Sequence, residues 1–343
     1  MYLRNRWYCA AVSDELGAAP LGRIFLDEPV VMYRKGDGVI VALEDRCCHR
    51  RAPLSKGKIE GANIRCGYHG FLYDATGQVI WVPGQEKVPP GAKVRAYPLV
   101  EKHGFAWIWM GDPARADAEG IPDFHWNDDP EFAAVAGLLP VAADYRLLMD
   151  NLLDLSHVSF LHAATIGSPD DRAPEVLTWD RGADWVKGTR IMRDCRPSPR
   201  MQAEGVTFNI DRLQIMTYIP PANVVIDLLT TESGRKPGEK GRHNDRLVIL
   251  DAMTPETATS CHYFWSSCRD YRLNDPQFDS FVKDITVKTF TEDKVMLEAE
   301  QKVIKLRPEA PQIDVGGDTG GLQARRILER LIADEQGARQ AAE

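Results

Sequence analysis

Two thiols and two imidazoles fall within 23 residues of one another: Cys47 and His49 in Cys47-Cys48-His49, then, after sixteen intervening residues, Cys66 and His69 in Cys66-Gly67-Tyr68-His69. Soft thiolates beside imidazoles suit a metal, and such a metal obliges the chain to bring two loops face to face. Two chemistries use this donor set. One is a structural zinc held by two thiolates and two imidazoles; the other is a two-iron two-sulfur cluster in which two histidines replace two cysteines on one iron. Zinc fingers usually keep both cysteines in one half and both histidines in the other, whereas here each half carries one Cys followed by one His. Two loops that each give a thiolate and an imidazole can hold a cluster with Cys47 and Cys66 on one iron and His49 and His69 on the other.

This segment is a small part of a chain of 343 residues, a length that implies two domains. A net charge of -8 and the absence of any Lys/Arg run exclude a phosphate track, so nucleic acid is not an expected partner. Seven cysteines, an odd number with two adjacent, suit a reducing compartment better than a disulfide framework. The first residues lack an apolar core of signal-peptide length. The densest apolar run, 105–110, is far short of the roughly 20 residues of a membrane span. These features point to a cytoplasmic protein with no membrane partner.

Residues up to about 112 read as all-β. Val30-Val31-Met32-Tyr33 and Val39-Ile40-Val41-Ala42-Leu43 flank Lys35-Gly36-Asp37-Gly38, a hairpin signal. Phe71-Leu72-Tyr73 and Val79-Ile80-Trp81-Val82 repeat the pattern, and 105–109 is a further strand. The stretch 113–130, rich in Ala, Asp, Gly and Pro, reads as a crossing segment. The expected domains are therefore 1–115 and 116–343. In the second, 144–162 has helical character, 223–231, 246–253 and 259–267 read as strands, and 278–306 and 322–335 read as helices. The result is an α+β arrangement with a long helix on a sheet.

That long helix and the segment 150–162 hold the remaining chemistry. Asp150-Asn151-Leu152-Leu153-Asp154-Leu155-Ser156-His157-Val158-Ser159-Phe160-Leu161-His162 sets two histidines and two acids in an apolar run. Five residues apart, His157 and His162 diverge by about 140° on a regular helix, so they share a metal only if the helix ends or bulges there. Asp154, three residues before His157, is placed to accept a ring N–H from a ligand histidine. A carboxylate beside two imidazoles would complete the facial set of a non-haem iron(II) oxygenase. Asp293 falls on the apolar stripe of 278–306, where an acid is costly unless it is paired or metal-bound. Glu300 shares nearly the same face, and helical geometry does not choose between them.

The Cys-x-His and Cys-x-x-His pairs, followed by Gly70, resemble the Rieske pattern. The run 150–162 resembles the mononuclear-iron motif of Rieske non-haem iron oxygenases, and Thr291-Glu292-Asp293-Lys294 resembles the segment with their ligand carboxylate. The likeness extends from Asn5-Arg6-Trp7-Tyr8, through Trp107-Ile108-Trp109 and Ile121-Pro122, to Gly320-Gly321-Leu322-Gln323-Ala324-Arg325-Arg326. It is nearest to the vanillate O-demethylase oxygenase component and related aromatic-acid O-demethylases.

The resemblance implies an N-terminal Rieske [2Fe-2S] domain, a helix-grip catalytic domain, and iron(II) at His157, His162 and Asp293 with Asn151 close by. It also implies a homotrimer in which Asp154 links His69 of one subunit to His157 of the next. A separate NADH-dependent reductase would supply electrons, and O2 would be consumed at the iron. The expected reaction is oxygen insertion into a methoxy C–H bond, with collapse of the hemiacetal to a phenol and formaldehyde. Hydroxylation or N-demethylation of another ring would use the same ligands, and a non-catalytic electron carrier is the reading from a different class. Cys48 and Arg51 depart from the pattern, where proline and glycine are frequent. Arg190, Arg193, Arg200, Arg212 and Arg246 are candidate partners for a substrate carboxylate. His262 and Trp265 could face the cavity or away from it.

Overall fold

The computed structural model describes residues 1–168, 170, 174–235 and 244–340. It divides into two compact units, one of 2–121 with 254–258, the other of residue 1, 122–253 and 259–343.

The first unit is built of three antiparallel sheets. One orders β1 (Trp7–Val12), β11 (Phe105–Trp109) and β10 (Leu99–Lys102). The second orders β2 (Leu21–Phe25), β3 (Glu28–Arg34), β4 (Ile40–Glu44) and β9 (Ala96–Tyr97). The third orders β5 (Lys58–Glu60), β6 (Asn63–Arg65), β7 (Leu72–Tyr73) and β8 (Val79–Trp81). The uninterrupted apolar run of β3 is explained by its position, because it is covered on both faces. Val30 and Met32 enter one core with Tyr8, Phe25 and Ile108, while Val31 and Tyr33 enter a second with Leu43, Leu54, Ile64 and Tyr73. Each such side chain contributes roughly 1.5–3 kcal/mol on burial. The second core also contains Cys47 and Cys66, so the cluster loops are rooted in packed hydrophobic side chains.

The second unit carries a seven-stranded antiparallel sheet in the order β12 (Ala133–Val141), β18 (Ser260–Arg269), β17 (Asn244–Thr257), β16 (Asn223–Glu232), β15 (Ile210–Ile219), β14 (Val186–Cys195) and β13 (Val176–Arg181). Helix α4 (Pro276–Leu306) starts behind Asp275, whose side chain accepts the Phe278 N–H, with Pro at the first turn. Its buried positions are Phe278, Val282, Thr286, Thr289, Phe290, Asp293, Leu297 and Gln301, one face of a 3.6-residue repeat. Phe290 packs on Tyr263 and Trp265 of β18 at ring-centroid distances of 5.0 and 5.8 Å. A sheet wrapped on one long helix is the helix-grip arrangement expected from the sequence. Among the described residues no helix is long and apolar enough to cross a membrane.

The 113–130 stretch is irregular, as its composition indicates, with short 3-10 turns capped by Asp112 and Asp117. The helical run 144–162 is broken. Helix α1 (Tyr145–Leu153) stops at Asp154 (φ -121°, ψ 96°), Leu155–His157 forms a 3-10 turn, and a single turn α2 (Val158–Leu161) follows. Helix α5 (Thr319–Gln340) enters through a glycine-rich turn. A Cβ on Gly317 would stand 3.0 Å from an Asp154 carboxylate oxygen, and one on Gly320 would stand 2.2 Å from the Trp179 ring, so the approach requires residues without side chains.

Candidate metal centres and cavity

The two cysteine-histidine loops have the same build. The Cys47 N–H donates to the Ala52 carbonyl and the Cys47 carbonyl accepts from the Arg51 N–H. The Cys66 N–H donates to the Phe71 carbonyl and the Cys66 carbonyl accepts from the Gly70 N–H. The residue four after each cysteine has a left-handed backbone, Gly70 at φ 76° and Arg51 at φ 59°. Arginine thus occupies a position that favours glycine, at a cost of roughly 1–2 kcal/mol. Cys47 and Cys66 are buried, whereas His49 and His69 are exposed with their rings 4.6 Å apart. Phe71 stacks on His49 at 4.9 Å. The Tyr73 hydroxyl accepts the Cys48 N–H at 3.0 Å and lies 3.1 Å from Cys47 Sγ and 3.2 Å from Cys48 Sγ. Burial pushes the Cys66 thiol up, opposed by backbone N–H groups of Tyr68 and His69 that point at its sulfur. Buried thiols met by N–H donors, with imidazoles on the outer side, fit a cluster that has one sulfur-bound and one nitrogen-bound iron.

The break at Asp154 resolves the divergence of the two histidines. His157 sits at the start of α2 and His162 at its end, so each leaves the helical path, and their rings come to 5.2 Å. Asp293 reaches them from α4. The nearest ligand atoms of His157, His162 and Asp293 all lie within 4.8 Å of one another. Asn151 Nδ2 donates to Asp293 Oδ1 at 3.0 Å, and its buried Oδ1 has no partner among the described residues. Glu300 does not join them. It is exposed, while Asp293 is 3% exposed.

Hydrogen bonds on the outer ring nitrogens show what the inner ones face. His157 Nδ1 is 2.5 Å from the Asp154 carbonyl, which can only accept, so Nδ1 carries the proton. The neutral ring then turns its Nε2 lone pair toward Asp293 Oδ1 at 3.6 Å. Burial pushes the His157 pKa down despite the nearby Asp293 charge, which favours that neutral ring. His162 Nδ1 lies 2.7 Å from Glu292 Oε2 and its Nε2 lies 3.1 Å from Asp293 Oδ1. Burial alone would lower the His162 pKa, but the two carboxylates outweigh it and raise it. A lone pair and carboxylate oxygens converging on one point are repulsive until a cation stands among them, so the donor set fits a divalent iron. Asp154 touches His157 through its backbone rather than through the carboxylate expected from the spacing. The carboxylate instead caps the 3-10 turn, accepting the N–H and hydroxyl of Ser156.

These residues end one pole of a cavity between α4 and the sheet, with an empty volume of about 1090 Å³ including its open mouth. Leu152, Leu155, Ile226, Leu228, Leu247 and Ile249 make most of its wall apolar, and Arg200 and Arg212 are its cationic side chains. His262 and Trp265 are buried but do not line it. Glu292 was not singled out by its residue type, because its signal is only its position beside Asp293 on a half-buried face. Asp251, fully buried on β17, accepts the Tyr263 hydroxyl at 2.6 Å.

A sulfur- and nitrogen-donor cluster site followed by a two-histidine, one-carboxylate site in a helix-grip unit defines a Rieske non-haem iron oxygenase. Residues 6–98 match the Rieske [2Fe-2S] domain family, and residues 141–334 match the vanillate O-demethylase oxygenase C-terminal domain family. The chain is 39% identical to a putative toluene-4-sulfonate monooxygenase system iron-sulfur subunit of Comamonas testosteroni, over 98% of this chain and 99% of the relative. It is 36% identical to a vanillate O-demethylase oxygenase subunit of Pseudomonas sp. strain HR199, over 100% and 98%. The crystal structure of dicamba monooxygenase bound to 3,6-dichlorosalicylic acid superposes with a TM-score of 0.91 at 32% identity, covering 98% of this chain and 99% of that one. The chain belongs to the vanillate O-demethylase oxygenase family. It is a monooxygenase whose cofactors are a Rieske [2Fe-2S] cluster and mononuclear iron. Relatives named as subunits or components mark it as one part of a multi-component system.

Proposed function

We propose that this chain is the terminal oxygenase that removes the methyl group of a methoxylated, vanillate-like aromatic acid as formaldehyde. The single observation that carries this reading is the convergence of His157, His162 and Asp293 at the end of a largely apolar cavity in a chain of this family. In this reading residues 1–115 form the Rieske domain, with Cys47, His49, Cys66 and His69 holding the cluster. Residues 116–343 form the catalytic domain, with His157, His162 and Asp293 holding iron(II).

The cluster supplies electrons one at a time and the iron supplies oxygen activation. The overall reaction consumes a methyl aryl ether, O2, two electrons and two protons, and yields a phenol, formaldehyde and water. The Asp154 carbonyl and the Glu292 carboxylate keep both imidazoles in the tautomer that turns Nε2 inward. Asn151 steadies the Asp293 oxygen it donates to. The apolar wall excludes water from the reacting methyl group.

The electron source is a separate NADH-dependent reductase, and the assembly is a homotrimer. Asp154 lines an outer groove with Asp314, Asp318, Glu300 and the Asp150–Arg325 ion pair, an excess of acids, beside the exposed apolar Phe160 and Met296. The cluster loops present exposed Arg50 and Arg51 of opposite charge beside His49 and His69. This complementarity supports docking of His69 from one subunit near Asp154 of another. Cysteines that form no disulfide among the described residues support a cytoplasmic setting.

The test is oxygen uptake with a panel of methoxybenzoates and a surrogate reductase. Formaldehyde equal to the oxygen consumed is expected, and turnover without formaldehyde refutes O-demethylation. Hydroxylation of a ring methyl group is the second reading, favoured by the toluene-4-sulfonate relative, and it yields a benzylic alcohol when 4-methylbenzoate and toluene-4-sulfonate are added to the panel.

A further inference from the structure

Five arginines met the sequence criterion for binding a substrate acid, and the structure sorts them. Arg193 is exposed and pairs with Glu175 and Asp211. Arg246 is engaged through two nitrogens by Asp227. Arg190 donates to Gln214 Oε1 and the Leu155 carbonyl and does not line the cavity. Arg212 lines the cavity but stands in a cross-strand row with Thr230 and Asp245, next to an acid.

Arg200 differs. It is 8% exposed, follows Pro199 at the start of the short helix α3 (Pro199–Ala203), and lines the cavity. Its Nε donates to Glu204 Oε1 at 2.8 Å and one Nη2 hydrogen is directed to the Tyr271 hydroxyl at 3.2 Å. These use two of its five N–H donors, and the other three have no acceptor among the described residues. A guanidinium removed from bulk water with more than half of its donors unused calls for an acceptor. Glu204 takes the Nε edge, so the free donors lie on the Nη end, where a planar oxyanion pairs best.

The place of this group in the cavity is set by helix α4. The Tyr271 ring lies 5.9 Å from that of Phe278, fifteen residues before Asp293. Ile285 and Thr286, which line the cavity between, precede Asp293 by about two turns, or roughly 12 Å of helix. The Arg200 backbone N–H donates to the Thr165 carbonyl on the metal side, but its guanidinium reaches away to Tyr271, which packs at the Phe278 end of α4, so the charged group stands apart from the three metal-side residues along an apolar wall.

We infer that Arg200 binds the acid group of the substrate, and so selects aromatic acids whose carboxylate or sulfonate lies across the ring from the carbon that is oxidised. This rests on the aromatic-acid reading above. Such an acid brings its own charge and at least two acceptor oxygens to the unused donors, while a neutral amide offers a single uncharged acceptor and an ortho acid presents its charge at the wrong place on the ring.

The test is equilibrium binding to the full, metal-loaded protein under anaerobic conditions, with 4-methoxybenzoate, 4-methoxybenzenesulfonate, 2-methoxybenzoate and 4-methoxybenzamide. The two para acids are expected to bind about 10- to 100-fold more tightly than the amide, the range of a hydrogen bond to a charged group. Their ratio separates carboxylate from sulfonate preference. Arg200→Gln/Glu204→Gln, which removes both charges together, should abolish the acid-over-amide preference. Arg200→Lys should lower it partially, with circular dichroism and Tm checking the fold. Equal binding of acid and amide by the wild type overturns the inference without need of a variant. So does an acid preference that survives the double substitution, or one that is lost instead in Arg212→Gln. Because no turnover is measured, acid binding without formaldehyde release would refute the demethylase reading and leave the role of Arg200 intact.

Discussion

Replacing Asp251 by Asn should make the protein more stable, and increasingly so as the pH rises. The carboxyl is fully buried, takes the Tyr263 hydroxyl on Oδ1 and has no partner on Oδ2 among the described residues. Burial drives its pKa from 3.8 up to about 8; the Tyr263 hydrogen bond opposes the shift and the charge of Asp293 adds to it. The folded chain therefore retains a proton that the unfolded chain loses above about pH 4, so stability falls as pH rises and levels off only above the folded pKa. The slope is about 1.4 kcal/mol per pH unit, which reaches roughly 4 kcal/mol at pH 7. Asp251→Asn keeps an acceptor for Tyr263 and carries no charge at any of these pH values. Wild type and variant should thus converge near pH 4 to 5 and separate steadily up to about pH 8. Urea unfolding at fixed metal content from pH 5 to 8.5 measures the gap. A difference that is flat with pH would refute the reasoning, because a constant offset reports packing and not the titration of a buried acid.

Other consequences can be checked separately. His162→Ala should lower iron from about three to about two per chain while the cluster spectrum is retained, read by metal analysis and absorbance. Asp154→Asn should leave iron content unchanged, because His157 leans on the backbone carbonyl, yet cut reductase-coupled turnover about tenfold or more if the carboxylate carries the link between subunits. Tyr73→Phe removes the hydroxyl 3.1 Å from Cys47 Sγ; a loss of about 1 kcal/mol favouring the reduced cluster should lower its potential by ~40 mV in a redox titration. Gly320→Ala should cost about 1–3 kcal/mol and lower Tm, since its methyl group would strike the Trp179 ring.

The parts of the molecule that were legible in the sequence are those in which one physical demand acts alone. Strand β3, apolar on both faces, and the hairpin to β4 with Gly38 at φ 87° follow from alternation and turn chemistry. The long helix α4 and the buried acid within it follow from its 3.6-residue stripe. Strands β12, β14 and β15 were harder to see. β14 and β15 carry Arg190, Arg212 and Gln214 at inward or half-buried positions, where polar partners replace the apolar residues that mark a strand. Spacing alone also left Asp293 and Glu300 equivalent, because their difference is one of depth. Only the packed helix shows that one is buried against both histidines and the other exposed. Nor can helical periodicity reveal that Asp154 would act through its carbonyl, which depends on the backbone bend at that residue.

The single turn Val158–Leu161 has a bearing on how this chain can vary. With His157 and His162 at its two ends, it acts as a spacer of fixed pitch. One residue inserted there swings the second imidazole by about 100° and advances it 1.5 Å, while a whole added turn restores its direction but moves it more than 5 Å. Neither leaves both nitrogens within reach of Asp293. Val158 and Ser159 of the same turn are buried and Phe160 faces the outer groove, so the turn is held in composition as well as in length.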